Sequence, residues 1–222
     1  MVTSTPSAKP VRRRPRRRGA ETRRHVAEVA ARLFVQDGYT GTSMQAIADA
    51  AGVHVQTIYL AFGNKPAVLA EAAAVLVAGE EEDAATPPEQ RRWVRELFAE
   101  PDPRRQLALY AAHMTAVAGR FQPLRTVIRG AALSDAELAA FWVHVEQGRW
   151  DGPGHIAPVL AAIGALRRGM SAEQAADIIY GLTTPDIYEN LVQRRGWSPQ
   201  CFERWLTEVL CAAVLHNVAT GD

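Results

Sequence analysis

Residues 42–65 read TSMQAIADAAGVHVQTIYLAFGNK, and the way this stretch folds decides what the rest of the chain is for. Thr42 or Ser43 can cap a first short helix, and Thr42 with Gln45 has the spacing of a capping box. Met44, Ile47 and Ala48 recur at helical spacing, which gives that helix one apolar face. Gly52 then supplies the positive φ that a sharp reversal needs. From Val55 a second helix follows, with Ile58 and Phe62 turned inward and Gln56, Thr57 and Tyr59 left to project elsewhere. Helix, glycine turn, helix is the arrangement in which the second helix enters the DNA major groove.

Upstream, residues 21–36 place Val26, Val29, Ala30, Leu33 and Phe34 on one helical stripe, a surface for the two short helices to pack against. Gly38 should end this helix, with Tyr39 behind it as a plug for the core. The sum is a three-helix domain. Asn64 caps a long helix over residues 65–83, with Pro66 suited to its first turn. Lys65 sits where the helix dipole disfavours a cation, so a nearby phosphate would give it a reason to be there.

The pattern T-S-M-x-x-I-A-x-x-A-G-V-x-x-x-T-I-Y-x-x-F-x-x-K, preceded by A-x-x-L-F-x-x-x-G-Y, resembles the tetracycline-repressor (TetR/AcrR) family of bacterial regulators. The matching positions run from Ala30 to Lys65, roughly the first third of the chain. One departure is His54, which stands where the family usually places a small hydroxylated residue. The resemblance implies a dimeric regulator that binds a palindromic operator in double-stranded DNA and responds to a small-molecule effector. It also implies that Tyr59 holds a backbone phosphate, and it points to a bacterial, cytoplasmic, nucleoid-associated protein.

Charge supports a polyanion at one end. Residues 1–66 hold eleven Lys and Arg against four Asp and Glu, a net of +7, whereas residues 67–222 hold fourteen against twenty, a net of −6. Six of the basic residues fall at Arg12, Arg13, Arg14, Arg16, Arg17 and Arg18, in a proline-containing segment too polar to bury a core. Residues 1–19 therefore read as a disordered arm that lies along DNA, or more plainly as a solubilising tail. No apolar segment follows it, so an export signal is not expected. No run of eighteen apolar residues exists, and a membrane role is not expected either. Cys201 and Cys211 lie ten residues apart on one expected helix, about 15 Å along its axis, too far to pair. They read as buried thiols of a reducing compartment.

Past residue 86 helix follows helix, and the fold class expected is all-α. Stripes mark helices over residues 88–99, 103–120 and 123–133, the last two divided at Pro123. Ser134 and Glu137 form a capping box for residues 135–147, and residues 148–154 are rich in turn formers. An apolar helix over residues 156–168 should be central. Ser171 with Gln174 opens a helix to about residue 195, interrupted near Pro185, and Ser198 caps the last one. The domains expected are 1–19 (arm), 20–64 (DNA-binding) and 65–222 (helical and regulatory). Residues 171–217 carry two stripes that would pair with their symmetry copies in a homodimer: Ala175, Ile178, Ile179, Leu182 and Leu191, then Leu206, Val209, Leu210, Ala213 and Val214.

No catalytic constellation is visible. None of the six histidines has another His or Cys at a metal-binding helical spacing, and there is no phosphate-cradling loop or nucleophile elbow. Glu80, Glu81, Glu82 and Asp83 read as a solvated helix end. No enzyme activity, cofactor or metal is expected. For DNA, Gln56 can pair with an adenine edge, Thr57 can reach base or phosphate, and His54 and Val55 face the same end. Thr42, Ser43, Tyr59, Lys65 and Arg16–Arg18 fall in the phosphate-contacting class. For the effector, Trp93, Tyr110, His113, Met114, Phe141, Trp142, His144 and Tyr180 supply aromatic area with sparse polar groups, Gln106 and Thr115 among the latter; the plainer reading is that these aromatics are core. The function expected is a ligand-responsive repressor. An activator of the same fold and a sequence-indifferent architectural DNA binder are the alternatives.

Overall fold

The computed structural model describes residues 15–79, 84–87 and 90–216, with side chains from Gly19 onward. The described chain is all-α, its one extended pairing being an isolated bridge between Leu166 and Leu215. The elements are α1 (Pro15–Gly41), α2 (Met44–Ala51), α3 (Val55–Phe62), α4 (Lys65–Ala78), α5 (Arg92–Ala99), α6 (Pro103–Ala131), α7 (Ala136–Ala162), α8 (Ala172–Leu182), α9 (Pro185–Tyr188) and α10 (Pro199–Val214). A π-helical turn, Glu189–Arg194, follows α9.

The local signals near the N-terminus translate directly. Gly38 breaks α1 with φ +74°, after which one more turn leads to α2. Ser43 caps α2 through its hydroxyl, which accepts from the Ala46 amide at 3.0 Å. Gly52 closes α2 in the left-handed conformation, its amide returning to Ala48 and Asp49. α1 is longer than expected: its backbone is helical from Pro15, inside the segment read as a disordered arm. Arg12, Arg13 and Arg14, the acidic run at residues 80–83 and the side chains of Arg16–Arg18 lie outside the described residues.

The body differs from the sequence pattern in three places. α6 is one helix straight through Pro123, and α7 runs through residues 148–154 with Pro153 and Pro158 inside it. α4 ends at Ala78. An interior proline costs about 3 kcal/mol of helix stability, but burial on both sides of the break outweighs it. Phe121, Leu124 and Ile128 flank Pro123 and are all buried; Pro153, Ile156, Ala157 and Leu160 do the same for α7. The cap of α7 also differs, since Asp135 rather than Ser134 accepts from the Glu137 and Leu138 amides.

Two hydrophobic clusters organise the molecule. The first joins α1, α2, α3 and α4 to Phe121, Leu124 and Ile128 of α6 and Leu138 of α7. The second joins α5, the first half of α6, the end of α7, α8 and α10. The helices α2 and α3 thus share a core with α4 and α6, although the chain turns sharply at residues 63–64, where α3 and α4 meet at 76°.

Candidate DNA interface and effector cavity

On α3, Ile58 and Phe62 are buried while His54, Gln56, Thr57 and Tyr59 are exposed and Val55 is half-buried. The i, i+4 spacing puts Gln56 and Leu60 on one face, opposite the buried pair. Leu60 is 89% exposed, and its place on the presented face went unseen because the sequence reading followed only polar side chains. His54 begins the helix without a side-chain cap, and the Thr57 amide donates back to the His54 carbonyl at 2.8 Å. Ser43 is exposed at the start of α2.

Two residues assigned to phosphate have internal tasks. Thr42 is 1% exposed and its hydroxyl donates to the Gly38 carbonyl at 2.9 Å. Lys65 donates to the carbonyl oxygens of Tyr39 at 2.9 Å and Thr42 at 3.0 Å, over the Tyr39 ring. The dipole argument for Lys65 sought an outside anion; the α1–α2 corner provides carbonyl oxygens instead. A third positioning residue, Arg23 of α1, donates to Glu71 of α4 at 2.8 Å and to the Ala61 carbonyl, and lies over the Phe62 ring. It therefore fixes the end of α3 to both long helices.

α4 is held at its other end as well. Arg24 of α1 donates to the Gly79 carbonyl at 2.6 Å, and Arg120 of α6 donates to the Leu76 carbonyl at 2.9 Å. Guanidinium groups at a helix C-terminus complement its dipole. One helix is thus pinned to α1 and α3 at one end and to the body at the other.

Between the two hydrophobic clusters lies a cavity of about 550 Å³, within the range that encloses a drug-sized ligand. Of the eight residues expected to line it, Trp93, Tyr110, His113, Met114, Phe141 and His144 do. Trp142 and Tyr180 do not. The Trp142 ring lies under the Arg125 guanidinium at 4.8 Å, and Tyr180 lies under Arg149 at 4.5 Å with its edge to Trp150. Gln106 and Thr115 are buried away from the wall, with Gln106 donating to the Glu100 carbonyl. The α4 side of the cavity is formed by Ala70, Ala73, Ala74 and Val77, small residues that leave room for a ligand against the helix itself.

The wall also holds polar groups that the sequence reading missed: Arg91, Gln122, Arg125 and Arg149. Gln122 and Arg125 continue the α6 stripe begun by Tyr110, His113 and Met114, but dividing the helix at Pro123 concealed that continuity. His113 stacks on Trp93 with ring centroids 3.7 Å apart. Burial, with Arg120 and Arg91 nearby, lowers its pKa to about 4, so it is a neutral, flat wall at neutral pH. Burial pushes the Tyr110 phenol upward and keeps it neutral too.

Comparison with known proteins agrees with this architecture. Residues 26–72 match the model described as bacterial regulatory proteins, tetR family. The chain is 42% identical over 59 residues to the HTH-type transcriptional regulator AcrR of Shigella flexneri, a match covering 27% of each protein. The chain thus spans about a quarter of the length of that curated relative. Among solved structures, the fold is similar to FadR of Bacillus subtilis in complex with stearoyl-CoA (TM-score 0.64, 20% identity, 85% of this chain and 97% of that one). It is also similar to NalD of Pseudomonas aeruginosa, the secondary repressor of the MexAB-OprM multidrug efflux pump (TM-score 0.63, 19% identity, 89% and 98%).

Proposed function

Because this chain belongs to the TetR family of DNA-binding transcriptional regulators, we propose that it is a ligand-responsive repressor. On this reading it binds a palindromic operator as a homodimer and lets go when a small molecule fills the cavity. One observation carries the proposal: α4 belongs to both sites at once. Val68, Leu69 and Ala72 bury in the core shared with the DNA-binding helices, while Ala70, Ala74 and Val77 face the cavity. A ligand shifts a conformational equilibrium only by its difference in affinity for the two states. Displacing α4 from within the cavity would also strain the Arg23–Glu71 bond and alter the angle at which α3 is presented. Half-sites about 34 Å apart tolerate little such change.

In this proposal Gln56, Thr57, His54 and Val55 read bases, and Ser43, Tyr59 and Arg16–Arg18 meet phosphates. Leu60 adds apolar contact to a thymine methyl. The dimer forms through residues 171–217, where several residues of each stripe stay only partly covered in the single chain. Ala175, Ile179, Leu206, Leu210 and Val214 are buried, whereas Ile178, Leu182, Leu191, Val209 and Ala213 are only partly covered. The description of NalD as a repressor supports a repressor over an activator, and the stearoyl-CoA complex of FadR supports an effector that carries a long apolar chain.

The test uses operator DNA obtained by selection from random sequence. Ala74→Phe fills the cavity against α4, and it should weaken operator binding by tenfold or more while leaving the helical content unchanged. Retention of full operator affinity by Ala74→Phe would count against α4 as the coupling element.

A further inference from the structure

The charges on one side of the cavity do not balance. Arg125 of α6 is 3% exposed; its Nε and Nη2 donate to Glu146 Oε1 at 3.2 and 3.0 Å. The same carboxylate accepts from Arg149 Nη1 through Oε2 at 2.7 Å, so one negative charge serves two guanidinium groups. The next carboxylate, Asp186, is about half exposed, is bound by Arg129 at 3.1 Å and stays 3.9 Å from Arg125 Nη1. Within this cluster three arginines share two carboxylates, and its most deeply buried member is a cation. Elsewhere on the wall the carboxylate of Asp151 is exposed to solvent.

The hydrogen bonds show the same imbalance. Arg125 Nη1 and Arg149 Nε are buried without a hydrogen-bond partner, and both side chains line the cavity. Trp93 Nε1, also on the wall, is a third donor in the same condition. All three are donors only, so nothing but an acceptor can satisfy them. Gln122 Oε1 is the single acceptor among these orphaned wall atoms outside Tyr110, its amide nitrogen being committed to Glu189 at 2.9 Å. It would match a ligand hydroxyl, but it carries no charge and does not set the ligand class.

Resting on the reading of this cavity as the effector site, we propose that the effector is a monoanionic amphiphile, an apolar body ending in a carboxylate that docks on Arg125 Nη1. A buried cation that is short of counter-charge is costly, and an anion of charge one removes the deficit. A neutral ligand would leave the deficit in place, and an ammonium would add to it. A dianion would bring a second charge out of water that the single-charge deficit of this cluster does not match. The rest of the molecule is mainly apolar, because beyond the arginines most of the wall is built from side chains such as Val77, Leu97, Met114, Phe121 and Phe141. The wall follows α6 from Tyr110 to Arg125, about 22 Å along the helix, so an elongated body fits with its carboxylate at the Arg125 end.

Calorimetric titration of the full-length protein at neutral pH with dodecanoate, dodecanol and dodecylamine tests this. Dodecanoate should bind tighter than dodecanol by about tenfold or more, the factor expected of a hydrogen bond to a charged group, and dodecylamine should bind weakest. Arg125→Gln should bring dodecanoate down to the level of dodecanol while dodecanol affinity stays put, which also reports an intact cavity. Glu146→Gln, which removes the competing carboxylate, should strengthen dodecanoate alone and provides a second route should Arg125→Gln not fold. Equal affinity for dodecanoate and dodecanol in the unaltered protein overturns the proposal, as does an Arg125→Gln protein that keeps the preference. Should the alcohol bind and release operator DNA while the carboxylate does not, the head-group assignment falls and the effector cavity stands. Should none of the three bind, the proposal falls, and the cavity's role is decided by Ala74→Phe.

Discussion

The Lys65 ammonium stands 2.9 Å from the Tyr39 carbonyl oxygen and 4.2 Å from the centre of the Tyr39 ring, so the first residue of α4 closes the corner between α1 and α2. Burial lowers its pKa somewhat, against a small opposing effect of Asp135. Lys65→Met keeps the aliphatic stem and removes the charge-assisted bonds and the cation–π contact. The expected loss is about 1–3 kcal/mol of unfolding free energy. Operator affinity should fall only in step with that loss, and the dependence of binding on salt should not change. A drop of about 0.9 in the salt slope would return Lys65 to the phosphate-contacting class.

Gln56 is exposed on α3 and carries the base-reading role in the proposed interface. Gln56→Ala should cost on the order of 1–3 kcal/mol on the selected operator and much less on unrelated DNA. Repeating the selection with the variant should show relaxed preference at one position of each half-site. An unchanged preference would move base reading to Val55, Thr57 or His54.

His113 gives the fold a defined response to acid. Its pKa is about 4 in the native protein against 6.5 for the free side chain, so between these values the unfolded chain binds the extra proton. Stability should therefore rise with pH across that window and fall as the solution is acidified from about 6.5 toward 4, by as much as about 3 kcal/mol. His113→Phe preserves the stack on Trp93 and removes the proton. Urea midpoints for both proteins at pH 7.0, 5.5 and 4.5 should diverge as the pH falls, with the variant losing less. Parallel curves would show that His113 does not titrate in this range.

Local chemistry made the N-terminal third readable, and long-range packing hid part of the cavity. Ser43, Gly38, Gly52 and Asn64 act within a few residues of themselves, so their caps and turns could be inferred from sequence alone. The helix through Pro123 could not, because what sustains it is the burial of Phe121, Leu124 and Ile128 against α1 and α4, distant in sequence. Missing that helix meant missing Gln122 and Arg125. The aromatic content of the wall was legible, but Trp142 and Tyr180 have the same composition and periodicity as its true members. Only the positions of Arg125 and Arg149 separate them. The internal bonds of Lys65 were hidden for a related reason, since nothing local announces that the Tyr39 and Thr42 carbonyl oxygens converge on it.

The proposed dimer can be tested at the half-covered positions of its stripes. Ile178 on α8 and Val209 on α10 are only partly covered in the single chain. Ile178→Arg combined with Val209→Arg leaves the fully buried residues of each stripe untouched, and because Ile178 also packs on the second cluster, thermal unfolding of the double variant must be compared. In light scattering the unaltered protein should show the dimer mass at micromolar concentration and the double variant the monomer mass. A monomer mass for the unaltered protein would rule out the dimer.

Arg12, Arg13, Arg14, Arg16, Arg17 and Arg18 immediately precede or begin α1, the helix on which α3 packs through Arg23. In a dimer, two such clusters would flank the recognition helices. Each arginine that meets a phosphate releases counterions and adds about 0.9 to the slope of log affinity against log salt. Pro15 divides the run, so fewer than six contacts per subunit are expected at once. Removing residues 1–18 should weaken operator binding strongly at low salt, flatten the salt slope and leave the selected core sequence as it was. Loss of an A·T preference outside the half-sites would add that the arginines enter the minor groove. Because Pro15 and the three arginines after it are helical, thermal unfolding of the truncated protein must be compared as well. If affinity and salt slope both match those of the full chain, the arginines act as a solubilising tail and the interface is confined to α2 and α3.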